Sequence, residues 1–288
     1  VCTSDGLLRM CDAENTGTVL WKERVFEDGI EVGCITFSPD NRFLVCGGET
    51  GVCVCWRWDQ TTRAVVSLLS RPCLCKWQAH EEAVISGPAF SEDARVFVTG
   101  SWDNTMRLWN VATTLVDPRD VVGEPIGVEE EGDELMITPA PLATVSGFEG
   151  WVKCAAVSGG VRAGAVAVGI EDGSVHTYAI QDLAGGDVEG LLAAAAAAAS
   201  GSGGGRGGCS MQSGAPAYRH EGAVNAVRFG LGGDILASCS DDATIKVWSL
   251  SGKTLRYTLG AVHFSDVIND IFFGGRGASV LCSASADG

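Results

Sequence analysis

The chain has 288 residues, 46% of them hydrophobic and 19% charged, with 36 acidic against 20 basic side chains and a net charge of −16. This composition supports a sizeable core and excludes a wholly disordered chain. The charge argues against broad contact with nucleic acid or an anionic membrane, which need clustered cations, and no apolar run approaches the 18 residues of a membrane span.

In chain order, one strand–turn–strand pattern recurs. Residues 1–26 hold a partial unit around Asp5-Gly6, followed by the apolar stretch Leu7-Leu8-Arg9-Met10-Cys11. The unit at 27–70 has strand patterns at 32–37 and 42–45, a turn at Ser38-Pro39-Asp40-Asn41, a second turn at Glu49-Thr50-Gly51, a strand carrying Trp56, and a fourth strand predicted at 64–69. The unit at 71–116 repeats this, with a turn at Ser91-Glu92-Asp93, a strand at 96–98, the turn Trp102-Asp103-Asn104 and a strand carrying Trp109.

Residues 117–143 form an acidic insertion; 117–134 alone contain eight acids and one Arg. The unit at 144–183 has strands at 152–157 and 164–168, the turn Asp172-Gly173 and a third strand with Tyr178, where His176 is expected to face solvent. Residues 184–216 form a second insertion, with Ala193 to Ala199 followed by a Gly-rich tract; both insertions read as solvated, poorly ordered loops. The unit at 217–260 has strands at 224–229 and 235–237, the turn Asp241-Asp242-Ala243, a strand with Trp248 and a fourth strand at 255–259. A partial unit occupies 261–288.

The turn anchors recur about every 45 residues once the insertions are set aside. In two units the internal spacing is the same: Thr99 and Ser238 stand four residues before Asp103 and Asp242, and Trp109 and Trp248 stand six after. Four short antiparallel strands per 40–45 residues make one propeller blade. The expected fold is all-β, a β-propeller of four-stranded antiparallel blades. Four are complete and two partial within a single domain, as in a fragment of a seven-bladed or larger propeller. Unpaired blade edges at both ends would make the isolated chain aggregation-prone.

With these spacings the chain resembles the WD-repeat β-propeller family. Residues 99–103 and 252–259, followed by Val267-Ile268-Asn269, resemble the receptor for activated C kinase within it. The resemblance implies a His near the start of each blade, a place taken by His80 and His220, and by His263 before Asp287; Phe148 takes it in the fourth unit. It further implies a buried hydrogen-bonded chain in two blades, through Thr99, His80, Asp103 and Trp109 and through Ser238, His220, Asp242 and Trp248. The role of that chain is structural.

Enzymatic motifs are weak. Gly203, Gly205 and Gly208 match a dinucleotide-loop spacing but lie in a low-complexity tract without a preceding strand. Gly252-Lys253-Thr254 lacks the first glycine of a phosphate loop, and His80-Glu81-Glu82 lacks a second His. No catalytic residue, cofactor or metal site is predicted. The 12 Cys lack CxxC spacing and read as small buried hydrophobes in a reducing, intracellular compartment, cytoplasmic or nuclear.

The expected function is a non-enzymatic protein-interaction scaffold. By the resemblance, the residue before each turn anchor points to one face of the propeller, which places Glu49, Trp102, Glu171 and Asp241 there. Acidic residues around a Trp suit a protein partner with a basic or Arg-bearing segment. The alternative is a regulatory or substrate-recognition propeller of a multidomain enzyme, such as a signalling NTPase or a ubiquitin-ligase receptor.

Overall fold

The computed structural model describes residues 6–11, 18–26, 30–59, 64–65, 74–115, 129–131, 134–137, 139–199, 209–230, 232–260, 266–274 and 280–287. The expectations for Asp5, His263, most of the predicted strand at 64–69, the acidic tract at 117–128 and the Gly-rich tract at 200–208 lie outside the described residues.

The strands arrange as a series of sheets. β1 (Leu7–Cys11) pairs with β2 (Val19–Arg24). β3 (Val32–Phe37), β4 (Phe43–Gly48) and β5 (Val52–Asp59) form an antiparallel meander; β6 (Ala64–Val65) touches the end of β5, and β7 (Cys75–Gln78) is the fourth strand. β8 (Val84–Phe90), β9 (Val96–Ser101) and β10 (Met106–Asn110) follow, then the short helix α1 (Val111–Thr114). After β11 (Glu129–Glu131) and β12 (Glu134–Ile137), β13 (Ala143–Ser146) closes that blade.

β14 (Val152–Ser158), β15 (Ala165–Ile170) and β16 (Ser174–Ala179) lead into α2 (Ile180–Leu183) and α3 (Val188–Ala199). β17 (Cys209–Gln212) comes next, and β18 (Tyr218–Arg219) is the fourth strand of this blade. β19 (Val224–Phe229), β20 (Ile235–Ser240), β21 (Thr244–Ser249) and β22 (Thr254–Gly260) make the next, and β23 (Ile268–Gly274) pairs with β24 (Val280–Ser285). Among the described residues the result is four four-stranded blades and two two-stranded ones, the propeller architecture expected from the repeat.

The first strands stand side by side, β3 against β8, β8 against β14, β14 against β19 and β19 against β23. Second strands are therefore covered on both faces, and β4 and β9 are buried at every position. The core lies between blades: Phe43, Val45 and Cys53 pack with Val84, Phe97 and Trp109 of the next sheet. Small residues on the second strand allow the close approach. A Cβ on Gly169 would lie 2.5 Å from Val224 Cγ1, and one on Gly47 would lie 2.6 Å from Val84 Cγ1; Gly100 faces Val152 in the same way.

Three expectations need correction. The fourth strand of the blade built on β3–β5 is β7, not residues 64–69, of which only β6 is a described strand. The fourth strands β7, β13 and β18 lie at the start of the next sequence unit, whereas β22 lies within its own at the expected 255–259, so three blade boundaries are offset from the repeat boundaries. The insertions are partly ordered. β12 pairs in parallel with β7, β17 pairs in parallel with β13, and 188–199 are helical, because Ala is the strongest helix former and the first turns bury Val188 and Leu192. Finally, His176 is buried rather than exposed; its ring meets Phe148 edge-on at 5.1 Å, and its Nε2 is 3.1 Å from Ser174 Oγ.

Candidate functional site

The two predicted polar chains form as expected in the blades of β8–β10 and β19–β21. An indole nitrogen can only donate, which fixes their direction. Trp109 Nε1–H donates to Thr99 Oγ1 at 2.8 Å, the Thr99 hydroxyl donates to His80 Nε2 at 2.8 Å, and His80 Nδ1–H donates to Asp103 Oδ2 at 3.0 Å. Trp248, Ser238, His220 and Asp242 repeat this at 2.9, 2.7 and 2.9 Å. Each Asp also accepts its own turn: Asp103 takes the Thr105 N–H and hydroxyl and the Glu81 N–H, and Asp242 takes the Thr244 and Glu221 equivalents.

Burial pushes His80 and His220 below their ordinary values, against the pull of Asp103 and Asp242. Burial alone would raise both aspartates. The hydrogen bonds from His80 and Thr105 override it at Asp103, and those from Thr244 and the Glu221 N–H do so at Asp242, so both carboxyls lie below the usual range. A neutral imidazole between a hydroxyl and a carboxylate satisfies every polar atom of the chain without burying a second charge.

The other two complete blades fill the same positions with apolar groups. Phe26 stands in the place of the His beside Gly48, Cys46 replaces the hydroxyl, and Trp56 Nε1 has no acceptor among the described residues. In the β14–β16 blade Phe148, Val168 and Tyr178 take these places in one apolar cluster, and burial pushes the Tyr178 hydroxyl up to about 12. The Phe26 position is missed by a search for His, although its spacing to the turn matches that of Phe148.

The turns between second and third strands share one end of the molecule, here called the upper face. The residue before each anchor donates its N–H to the loop entering the first strand: Glu49 to Glu31, Trp102 to Ala83, Glu171 to Trp151 and Asp241 to Ala223. This contact holds the four predicted surface residues on one face. The residue after each anchor is left-handed, as Gly51, Asn104, Gly173 and Ala243. Glu49, Glu171 and Asp241 are exposed and Trp102 is half-buried.

The Trp102 ring stacks on Trp151 from the adjacent blade, with centroids 4.6 Å apart and an 18° interplanar angle, and Trp151 is 39% exposed. Sequence reading missed Trp151, whose signal is its place just before β14, where the other blades have Ala83 and Ala223. Asp241 Oδ1 accepts from Asn225 Nδ2, and Lys153 Nζ donates to Asn225 Oδ1, so Asp241 is already engaged while Glu171 borders the Trp pair. Glu81, Glu82, Glu149 and Glu221 of the entering loops are exposed on the same face. Among the described residues no His, Cys, Asp or Glu group is placed to hold a metal ion, and no described helix is long and apolar enough to cross a membrane.

Repeated four-stranded sheets around a common set of inner strands, two of them locked by a Trp–hydroxyl–His–Asp chain, define a β-propeller of the interaction-scaffold class. The family model for the WD domain, G-beta repeat, matches residues 23–57, 71–110 and 217–249, each match ending one residue past Trp56, Trp109 or Trp248. The chain carries WD repeats at these three places. No curated protein matches it. WD-repeat propellers are in general non-catalytic scaffolds that bind protein partners.

Proposed function

We propose that the chain works as a non-enzymatic scaffold whose upper face binds an Arg-bearing segment of a protein partner. The observation that carries this reading is the half-open Trp102–Trp151 pair beside Glu171 on a face lined with exposed carboxylates. A guanidinium stacks on an indole face and forks onto a carboxylate, and both acceptors are present here. Aromatic anchors of this kind dominate protein interfaces. A cytoplasmic or nuclear compartment, where such partners occur with free thiols, fits this role.

The test is a pull-down of partners with the intact chain and with Trp151→Ala, Trp102→Ala and Glu171→Gln, with near-ultraviolet circular dichroism to confirm folding. Loss of the same partners with all three variants supports the site. Unchanged capture with folding intact refutes it.

A further inference from the structure

The lower face, opposite the Trp pair, carries the turns between first and second strands, and α3 is docked there. Val188 and Leu192 are buried and Leu191 is partly so; all three pack into a cluster with Val161, Ile180 and Leu183. Glu189, between them in sequence, takes a two-pronged ion pair from Arg95 at 2.8 and 2.6 Å, and a third bond from Arg162 Nε at 3.1 Å. The two arginines come from the turns of adjacent blades, which are themselves joined, Val161 N–H donating to Asp93 Oδ2. The hydrogen bonds from Arg95 and then Arg162 pull the Glu189 carboxyl down to about 2.

This dock is a receptor with an undersized occupant. Alongside α3 lies a cleft of about 620 Å³ floored by Phe43, Val111 and Leu115, with Arg42 at its rim. The helix turns Ala193 toward that cleft, and the sequence continues in alanine to residue 199. Arg42 is 59% exposed, with the Asp40 carboxylate 4.0 Å away. Gly185 and Gly186 precede the helix at φ of +69° and +90°, conformations that glycine adopts freely. The ion pairs are solvent-accessible, at 39% for Glu189, 42% for Arg95 and 82% for Arg162, so salt screens them.

We propose that the lower face is a docking groove for a short acidic amphipathic helix of a protein partner, and that α3 holds it in cis as a displaceable stand-in. The partner helix presents apolar side chains at the positions of Val188 and Leu192, a carboxylate at the position of Glu189, a large apolar side chain where α3 has Ala193, and a second acid for Arg42. Charge and shape argue for this occupant: two exposed guanidinium groups read one carboxylate, and the free volume lies where α3 offers a methyl group.

The test uses the full chain and a fluorescein-labelled synthetic peptide of residues 186–199 carrying Ala193→Leu. In the chain, Val188→Asp with Leu192→Asp removes α3 from the groove, and Glu189→Gln loosens it while keeping its apolar contacts. The peptide is expected to bind the doubly substituted chain roughly tenfold or more tighter than the wild type, since the competing occupant is gone. Binding is expected to be lost when the peptide's Glu189 is Gln, or when the chain also carries Arg95→Ala with Arg162→Ala.

Hydrogen exchange at 188–194 is expected to quicken in Glu189→Gln and when the peptide is added to the wild type. Equal binding to both chains, no binding to either, or unchanged exchange in Glu189→Gln overturns the proposal. So does a wild-type dimer in which 188–194 are protected only on dimerisation, which would make a second copy the occupant.

Discussion

Replacing Asp103 with Ala isolates the energetic role of the buried chain. The substitution removes the acceptor of His80 Nδ1–H, whose side chain is fully buried, and leaves that donor to share Thr105 Oγ1 at 3.1 Å. Exchanging a buried bond to a charged carboxylate for this poorer one costs about 1–3 kcal/mol. The Glu81 and Thr105 N–H groups also lose an acceptor, but they lie at the surface where water replaces it, adding about 0.5 kcal/mol each. The expected loss is about 2–4 kcal/mol, a large part of the roughly 5–15 kcal/mol that holds a typical protein folded.

The molecule contains its own control. Asp172 sits in the same turn and accepts from the Ser174 N–H and hydroxyl, but the position of the histidine beneath it is held by Phe148. If Asp172 is removed, the Ser174 hydroxyl can turn to His176 Nε2, so Asp172→Ala should cost about 1 kcal/mol. Urea unfolding followed by far-ultraviolet circular dichroism gives both values. Equal losses for the two substitutions, or a loss under about 0.5 kcal/mol for Asp103→Ala, would refute the assignment of the cost to the buried imidazole.

Other outcomes follow from the same geometry. Gly169→Ala would place a Cβ 2.5 Å from Val224 Cγ1 and 2.6 Å from Cys154 Sγ, so the blades must move apart; a loss of about 1–3 kcal/mol in urea unfolding is expected, and a neutral result would contradict the close approach. Ala243 has φ of +59°, so Ala243→Gly should raise stability by about 1 kcal/mol, and a drop in melting temperature would count against strain there. His80, His176 and His220 all lie below their ordinary values because burial favours the neutral ring. The unfolded chain then binds protons that the folded chain does not, so stability is complete above about pH 6.5 and falls as the pH drops below it. Asp103 and Asp242, held low, add a further loss below about pH 4. A melting temperature that rises on acidification from neutrality would show the opposite linkage.

The propeller was legible because strand periodicity recurs in every complete unit and two units add the same spacing from hydroxyl to Asp to Trp. Trp109 pairs with Phe97 and Thr99 with Arg107, so the indole reaches the hydroxyl diagonally across β9 and β10, as the family resemblance implied for these two units. The fourth strands were read unevenly. β22 lies where 255–259 was expected, but the fourth strand after β5 is β7, whose four residues are too few to show an alternation.

The helical part of the second insertion was hidden because alanine carries no stripe. Its anchor is Glu189 meeting Arg95, a pair 94 residues apart that only the fold brings together. His176 was misjudged because its strand position was read without Phe148, the ring that covers it. Trp151 escaped notice because the repeated loop position it fills holds Ala83 and Ala223 in other blades, although exposed aromatic residues in loops are where recognition concentrates.

The central functional claim is that the Trp102–Trp151 pair receives a guanidinium, and nuclear magnetic resonance of the indole N–H groups tests it most directly. Titrating an Arg-bearing peptide into the isotopically labelled chain should shift the Trp102 and Trp151 signals and leave those of Trp109 and Trp248, which are hydrogen-bonded within their blades, in place. The same peptide with Arg replaced by Gln should shift none of them. Shifts at Trp109 and Trp248 alone, or equal shifts with the Gln peptide, would contradict the account.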